Sequence, residues 1–319
     1  AMIRVLSVEE FCAFLSSLPP CRNRPDPFLI RLSADARCTA SHGLCRLYLL
    51  SDAKETPQPL YSPQSCVSDC ALLQSSTRIA LSQQAKAPGL HNARPAADKN
   101  EKKLPDNPYA LLGLYGGTLT LFVSAPLSAN ARQELVFFIQ SLGSSVTTLL
   151  GPRSLLKKLS RPLSGKAVFG HILCLTSSDR LPIPGCRRVR QQADLPAFYE
   201  LLCRADGAHA HPSYDAFYCD AFYRRALPLQ LFVAEHYGLP VGCLGIFHIR
   251  ENEALISDVA VLPEERRRGV ATDLVSQVCR RLLEEGQVPC LLCRSPAAAA
   301  LYRKLGFRKI GSFGLIELS

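Results

Sequence analysis

Residues 256–285 read as a strand, an arginine-rich loop and a helix, and this order constrains the fold more than any other feature of the chain. Apolar residues alternate from Ile256 to Leu262, the loop is Arg266-Arg-Arg-Gly-Val-Ala271, and an amphipathic helix pattern starts near Gly269. The first turn of a helix has unpaired N–H groups and a partial positive charge, so arginines are unfavourable there. A bound polyanion compensates for them, and a glycine lets the backbone approach it closely. The sequence therefore predicts a phosphate-bearing ligand at this loop.

The chain has 319 residues, which is long enough for two domains with separate cores. A proline-containing connector places the boundary, so we expect an N-terminal domain over 1–178 and a C-terminal domain over 185–319. No apolar run approaches the roughly 18 residues of a membrane span. The first ten residues turn acidic and do not resemble a signal peptide. We therefore expect a cytoplasmic protein.

The 14 cysteines are mostly scattered singly among apolar residues, as at Cys12 and Cys203. In a reducing compartment such cysteines are small core residues. Cys290 and Cys293 form a CxxC pair, but their segment reads as a strand, in which residues three apart point to opposite faces. The other close pairs lack the second pair of ligands that a structural zinc site needs. We expect no metal.

The net charge of +10 is concentrated in one segment of the chain. Residues 151–190 hold nine Lys or Arg and one acid, Asp179, whereas the other 279 residues hold 28 basic and 26 acidic side chains. A nucleic-acid-binding surface is one interpretation of this segment. A solvated connector or the rim between two domains is the favoured one.

Strand-like and helix-like patterns alternate along the chain, which predicts mixed α/β domains. In the first half, the expected elements are a helix over Val8–Leu18, strands over Pro27–Leu32 and Leu44–Leu50, a long exposed polar loop over 75–108, a hairpin of Tyr109–Leu114 and Thr118–Val123, a helix over Ser128–Leu142, and strands over Ser145–Leu150 and Phe169–Thr176. In the second half, they are strands over Arg187–Gln191, Ala254–Leu262 and Val288–Cys293, a hairpin of Gln230–Glu235 and Val241–Ile249, helices over Asp194–Arg204, Ser213–Arg225, Gly269–Glu285 and Ala297–Leu305, and terminal strands within Phe307–Leu318.

Two motifs in a fixed order link the second half of the chain to a known family. The loop fits the pattern Arg/Gln-x-x-Gly-x-Gly/Ala through Arg266, Gly269 and Ala271, and a later helix pattern ends in Ala300-Leu-Tyr-Arg-Lys-Leu-Gly-Phe307. One helix and one strand separate the two motifs. Together they resemble the GNAT superfamily of acyl-CoA-dependent N-acyltransferases, over residues 185–319. The resemblance implies a C-terminal α/β domain with the GNAT fold, beside a second mixed α/β domain at the N-terminus.

The resemblance also implies a binding site for acetyl-CoA as co-substrate. In this family the loop N–H groups hold the CoA pyrophosphate, and the preceding strand pairs with the pantetheine arm. Both roles are physically reasonable, because a helix start binds a diphosphate and an exposed strand edge offers hydrogen-bond partners to the amides of the pantetheine. Ser295 stands where many members carry an asparagine. The implied CoA-binding residues are Val259, Ala260, Val261, Arg266, Arg267, Arg268, Gly269, Val270, Ala271, Thr272 and Ser295.

Tyr302 occupies the position of the family's tyrosine, whose phenol can protonate the departing thiolate. Its alternative role is packing against Phe307. The tetrahedral oxyanion needs an N–H donor, which the backbone near Val259 or Ala260 would supply. The amine must also lose a proton, but the positions where family members often carry a glutamate hold Leu255 and Cys290. The remaining candidate bases are Glu253 and Asp258, with Glu235, His209 and His211 as alternatives.

The aromatic segment His209–Tyr223 corresponds to the variable helix and loop that shape the acceptor pocket in this family. The implied substrate-binding residues are Tyr214, Phe217 and Tyr218. The alternative is a helix face that packs into the core. Asp215 and Asp220 beside these aromatic residues would suit a cationic amine.

The leading hypothesis is an N-acetyltransferase that moves an acetyl group directly to a primary amine of a small molecule or a protein. The alternative is a catalytically weak acyl-CoA-binding regulatory protein, which the missing glutamates favour. Residues 109–150 look like half of the same architecture without its phosphate loop, so the N-terminal domain is interpreted as a degenerate GNAT-like copy. The sequence indicates an amine acceptor as partner and no membrane, disfavours nucleic acid, and does not indicate an oligomeric state.

Overall fold

The computed structural model describes residues 2–18, 26–33, 46–51, 107–183, 188–191, 194–206, 230–250 and 252–318. Within these residues the chain forms a single 12-stranded mixed sheet that carries helices. The predicted mixed α/β class is therefore confirmed. Among the described helices, none is both long enough and apolar enough to cross a membrane.

The first half of the chain alternates short strands and helices. Its described elements are β1 (Met2–Val5), α1 (Val8–Ser17), α2 (residues 27–33), β2 (Arg46–Ser51), β3 (Tyr109–Tyr115), β4 (Thr118–Val123), α3 (Ala129–Ser141), a 3₁₀ turn (Gly143–Ser145), β5 (Thr148–Pro152), α4 (Arg153–Leu159) and β6 (Lys166–Cys174).

The second half repeats this order of strands and helices. Its described elements are β7 (Arg188–Gln191), α5 (Leu195–Asp206), β8 (Gln230–His236), β9 (Leu239–Arg250), β10 (Glu253–Val261), a 3₁₀ turn (Pro263–Glu265), α6 (Val270–Glu284), β11 (Val288–Cys293), α7 (Pro296–Lys304) and β12 (Arg308–Glu317). Strands β1 to β6 thus correspond in order to β7 to β12, and α1, α3 and α4 correspond to α5, α6 and α7.

The two halves exchange their last strands at the centre of the sheet. The strand order is β1-β2-β3-β4-β5-β12-β6-β11-β10-β9-β8-β7. Strand β12 of the second half is inserted between β5 and β6, with Phe313 opposite both Pro152 and Gly170. Strand β6 of the first half is inserted between β12 and β11. The sheet therefore continues across the expected boundary at 178–185, and the division of the chain into two domains there stays a prediction.

Two short helices in the first half were not predicted. Residues 27–33, which read as a strand, form α2 because the carboxylate of Asp26 accepts hydrogen bonds from the Phe28 N–H at 2.9 Å and the Leu29 N–H at 3.2 Å. An acidic N-cap followed by proline is a helix start, and an apolar run this short has no decisive periodicity. Helix α4 has only seven residues, and the end of the chain forms the single strand β12 instead of several strands.

The central strands are covered by different helices on their two faces. Phe28 and Ile30 of α2 lie in apolar clusters with Ile172 and Cys174 of β6. The opposite face of β6 carries Phe169, His171 and Leu173, because side chains alternate along a strand. On that face, helix α4 packs Leu156 close to Phe169 and Gly314, and α7 packs beyond it over β11.

The long helix α6 packs one apolar face against the second half of the sheet. Val270, Leu274, Val278 and Leu282 are all buried, as their spacing of four residues predicts. The described cysteines are free thiols, and Cys290 and Cys293 lie in different apolar clusters, on opposite faces of β11.

Candidate functional site

Strand β10 leaves its neighbour β11 halfway along its length. The two strands pair in parallel only from Glu253–Val288 to Ile256–Leu291. Beyond this point β10 pairs with β9 through two register shifts, and Asp258 adopts a positive φ of 50°. The backbone of residues 257–261 thus has no partner strand on the β11 side among the described residues. This gap offers N–H and C=O groups to an extended ligand.

The loop after β10 leads into an uncapped helix start. Gly269 is the N-cap of α6, with a positive φ of 82° and no side-chain cap, and Arg267 also has a positive φ, of 63°. The Asp273 N–H is bonded to the Gly269 carbonyl at 2.9 Å. The N–H groups of Val270, Ala271 and Thr272 precede that bond and have no acceptor within the helix. This arrangement favours an anion at the start of α6.

The three arginines of the loop differ in their contacts. Arg266 is turned back onto the protein, and its guanidinium donates to the Val261 carbonyl at 3.2 Å and to the Ala205 carbonyl at 2.6 Å. Arg267 and Arg268 are exposed. Arg266 is exposed too, but it ties the loop to β10 and α5, and Arg268 also donates to Glu265.

Glu265 joins the loop to the β8–β9 hairpin. Its carboxylate lies 3.1 Å from Nδ1 of His236 and accepts a bond from Nη1 of Arg268 at 3.3 Å. The side chain of Glu265 is only 14% exposed. These contacts could not be predicted from the sequence, because His236 and Glu265 lie 29 positions apart and only the fold brings them together.

Tyr302 lies beside Cys293, the last residue of β11. Its side chain is 6% exposed, and its ring packs edge-on against Phe307 with 5.3 Å between ring centres. Burial raises the pKa of the Tyr302 phenol above its usual value, and the thiols of Cys293 and Cys279 raise it further. The phenol therefore keeps its proton at neutral pH, and it gives up that proton less readily than a free tyrosine does.

Ser295 is engaged within the protein. Its hydroxyl accepts a bond from the Ala298 N–H at 3.3 Å and caps α7, and its carbonyl accepts from the Cys293 thiol at 3.3 Å. A side chain that caps a helix has its oxygen directed at backbone N–H groups. A CoA contact of the Ser295 side chain stays a prediction.

The two positions where the family resemblance leads us to expect a glutamate contain no usable base. Leu255 is buried, and Cys290 is buried beside Cys174 on the neighbouring strand. Burial raises the pKa of the Cys290 thiol well above its usual value, and the charges of Cys174, Glu253 and Asp26 add to this shift. At neutral pH Cys290 is thus a neutral thiol and a poor proton acceptor.

The structure separates the two candidate catalytic carboxylates. Asp258 lies in the segment of β10 that has left β11, and its carbonyl accepts a 3.6 Å bond from the Cys243 thiol. Glu253 is buried at the opposite end of β10, five residues earlier, which corresponds to roughly 15 Å along a strand. Glu235 is committed to an ion pair with Arg190. Of these acids, Asp258 is the one beside the gap between β10 and β11.

The expected acceptor-binding residues lie outside the described residues. These are Tyr214, Phe217 and Tyr218, together with the alternative bases His209 and His211. Their roles stay predictions.

Comparisons with known proteins bear on both halves of the chain. A family model described as the acetyltransferase (GNAT) family matches residues 195–307. The X-ray structure of a Drosophila protein covers 99% of this chain and 98% of its own, at 10% identity and a TM-score of 0.59. A GCN5-related N-acetyltransferase from Sphaerobacter thermophilus covers 66% of this chain and 75% of its own, at 19% identity and a TM-score of 0.51. A comparison with curated protein sequences gave no match.

At these identities the structural similarities show the fold alone. The Drosophila structure spans both halves, so a similar overall fold recurs in another protein. The family model covers β10, the arginine loop, α6 and Tyr302, which are the elements that form the gap and the anion-binding helix start. Residues 195–307 therefore form a domain that matches the GNAT acetyltransferase family.

Proposed function

We propose that the protein is an acetyl-CoA-dependent N-acetyltransferase that transfers the acetyl group directly to a primary amine of a small molecule or a protein. A GNAT domain supports an acyltransferase-type activity. One observation carries the finer proposal: the gap between β10 and β11 opens beside the uncapped start of α6. Backbone partners for an extended thioester arm and N–H donors for a diphosphate thus lie side by side.

The proposed reaction needs three groups of the chain. The amine nitrogen attacks the thioester carbonyl, and the backbone N–H of Val259 or Ala260 stabilises the oxyanion that forms. The C–S bond then breaks, and Tyr302 donates its proton to the leaving thiolate. Asp258, beside the gap, is the proposed acceptor of the amine proton. Glu253 lies too far from the gap to exchange this proton directly.

A second candidate function is an acyl-CoA-binding regulatory protein with little turnover. Leu255 and Cys290 favour it, because neither supplies a base at the positions where relatives often carry a glutamate. Both candidates require CoA binding, and only the first requires thiol release in the presence of an amine.

We further propose that the first half is a GNAT-like copy that does not bind CoA. Its strands and helices follow the same order as the second half. Its β4 and β5 also stop pairing, after Thr120–Leu150, but they stay close one position further on, since a Cβ added at Gly151 would lie 2.9 Å from Cβ of Leu121. The start of α3 is capped by the hydroxyl of Ser128, which accepts from the Ala131 N–H at 3.1 Å. The amine acceptor, the cytoplasmic location and the absence of a metal stay predictions from the sequence.

The proposal is tested by measuring CoA binding and thiol release on the full chain. Calorimetric titration with CoA should give one site per chain, and acetyl-CoA with pooled amines should release thiol. Tyr302→Phe should lower turnover on the order of 10²-fold, the usual contribution of a general acid, and leave CoA affinity nearly unchanged. Tyr109→Phe is the matched control, because Tyr109 is also buried and packs edge-on against a phenylalanine, Phe14. It should change neither quantity.

Each alternative outcome has a distinct meaning. CoA binding without thiol release would support the regulatory protein over the enzyme. An unchanged rate in Tyr302→Phe would remove Tyr302 as the acid, and two CoA molecules per chain would contradict the proposal for the first half. No CoA binding would exclude both candidate functions.

A further inference from the structure

Basic side chains from three elements meet on one face of β6, outside the gap between β10 and β11. In the register of the central strands, His171 of β6 lies between Cys293 of β11 and Ser312 of β12. Directly opposed residues of neighbouring strands share a face. Lys309 of β12 pairs with Leu173, two positions from His171, and therefore also lies on this face.

Two arginines approach the same place from the helices on this face. The guanidinium of Arg153, the first residue of α4, lies 5.1 Å from the ring centre of Phe169, which is two positions from His171 on the other side. Nε of Arg303 on α7 donates to the Ala299 carbonyl at 3.3 Å, which directs this side chain back along α7 toward the end of β11. Both halves of the chain therefore contribute a cation.

The cluster formed by Arg153, His171, Arg303 and Lys309 contains no balancing acid. No ion pair joins its arginines or its lysine to an acidic side chain in the part of the chain that the structure describes. Burial lowers the pKa of His171, and the positive charges of Lys309, Arg153 and Arg303 lower it further. Like charges this close repel one another unless an anion lies between them.

The imidazole at the centre of the cluster has an unused polar atom. Nδ1 of His171 is buried and has no hydrogen-bond partner among the described residues. A buried polar atom without a partner costs free energy, and a bound ligand can satisfy it. His171 as a whole is partly exposed, so a small solute can reach the edge of the ring, and a rotation of the ring is needed to turn Nδ1 toward that edge.

We propose that Arg153, His171, Arg303 and Lys309 form a binding site for a phosphate-type dianion. The guanidinium groups match phosphate oxygens with paired N–H donors, Lys309 adds a point charge, and a protonated His171 donates from Nδ1. The phosphate group belongs either to a free phosphorylated compound or to the 3′-phosphate of CoA. The site does not depend on the acyltransferase proposal. It would also explain the role of one residue of the basic segment 151–190, namely Arg153.

The direct test is titration of the full chain with inorganic phosphate, at an ionic strength held constant with sodium chloride. Arg153→Gln should weaken phosphate binding by about fivefold, the effect of losing one charge-assisted bond at a partly exposed site. Lys158→Gln is the control, because it removes the same charge from an exposed position in the last turn of α4. It should leave the affinity unchanged.

An NMR titration of the histidine ring separates binding from a structural effect. Phosphate should raise the pKa of His171, because an adjacent anion favours the protonated ring, and Arg153→Gln should reduce this shift. Absence of phosphate binding, or equal affinities in Arg153→Gln and Lys158→Gln, would overturn the proposal.

A comparison of CoA with 3′-dephospho-CoA identifies the source of the phosphate. If the site holds the 3′-phosphate, removing this group should weaken binding in the wild-type chain and not in Arg153→Gln. If it holds a free phosphorylated compound, the two nucleotides should bind equally while inorganic phosphate still binds. Loss of CoA binding with phosphate binding retained would remove the acyl-CoA function and leave this site in place.

Discussion

Arg266 and Arg267 are adjacent residues of the same type with different surroundings. Arg266 donates to two backbone carbonyls, one on β10 and one on α5. Arg267 is exposed and holds a positive φ at the entrance to α6. The first side chain stabilises the loop, and the second is placed to supply charge to a ligand.

Replacing Arg266 by glutamine should therefore lower mainly the stability of the protein, whereas replacing Arg267 by glutamine should weaken mainly ligand binding. Arg266→Gln should lower the free energy of unfolding by about 1 kcal/mol, because two carbonyls lose a charged donor. Arg267→Gln should leave stability within about 0.5 kcal/mol, the usual range for a surface change, and weaken CoA binding with a shallower salt dependence. Urea unfolding and calorimetric titration measure the two quantities. Equal effects of the two variants on both quantities would contradict this division.

The local parts of the site can be predicted from the sequence, whereas its long-range contacts cannot. The strand, the glycine-containing loop and the helix are contiguous, so their order was readable from residues 256–285. The bond from Arg266 to Ala205 spans 61 positions, and the contact of His236 with Glu265 spans 29. Such pairs depend on how the strands are ordered, which no local pattern records. The burial of Cys290 depends on Cys174, a residue of the other half, for the same reason.

At the level of elements, the two helices that were not predicted are the shortest of those that the structure describes in the first half. Helix α2 has an apolar run that periodicity alone assigns equally well to a strand, and the N-cap Asp26 with Pro27 was the usable signal. Helix α4 buries Leu155, Leu156 and Leu159 in only seven residues. By contrast, α6 has 15 residues, so the recurrence of an apolar residue at every fourth position identifies it as a helix.

Helix α6 is bounded by two glycines with positive φ, which allows a matched test of its start. Gly269 has φ 82° at the N-terminus, and Gly286 has φ 75° just beyond the C-terminus, in open space. Gly269→Glu and Gly286→Glu should cost similar backbone strain, because any L side chain is unfavourable in this region. Only Gly269→Glu places a carboxylate where the pyrophosphate is proposed to lie, so only this variant should abolish CoA binding.

Calorimetric titration with CoA, together with thermal unfolding as a check on folding, decides this comparison. Retained CoA affinity in a folded Gly269→Glu variant would contradict the assignment of the loop. An equal loss in Gly286→Glu would show that the effect arises from the helix as a whole.

For the whole molecule, the exchange of β6 and β12 makes each half part of the core of the other. Ile316 of β12 is fully buried in the apolar cluster of the first half, opposite Leu149 of β5 and Ala167 of β6. The sequence predicted strands near both positions but not their partners, because pairing between distant strands is set by the assembled sheet. Strands from both sides of the expected boundary at 178–185 thus belong to one sheet.

Ile316→Ala tests whether the two halves unfold as one unit. The change should lower the free energy of unfolding by about 2–5 kcal/mol, as for other large-to-small changes in a packed core, whereas Leu315→Ala should cost less, because Leu315 is partly exposed. Hydrogen exchange measured by mass spectrometry should then show faster exchange in β3 and β5 and, to the same extent, in β9 and β10, since unfolding either half removes a central strand from the other. Faster exchange confined to β3 and β5, with unchanged protection in β9 and β10, would show that the halves are stable separately despite the exchanged strands.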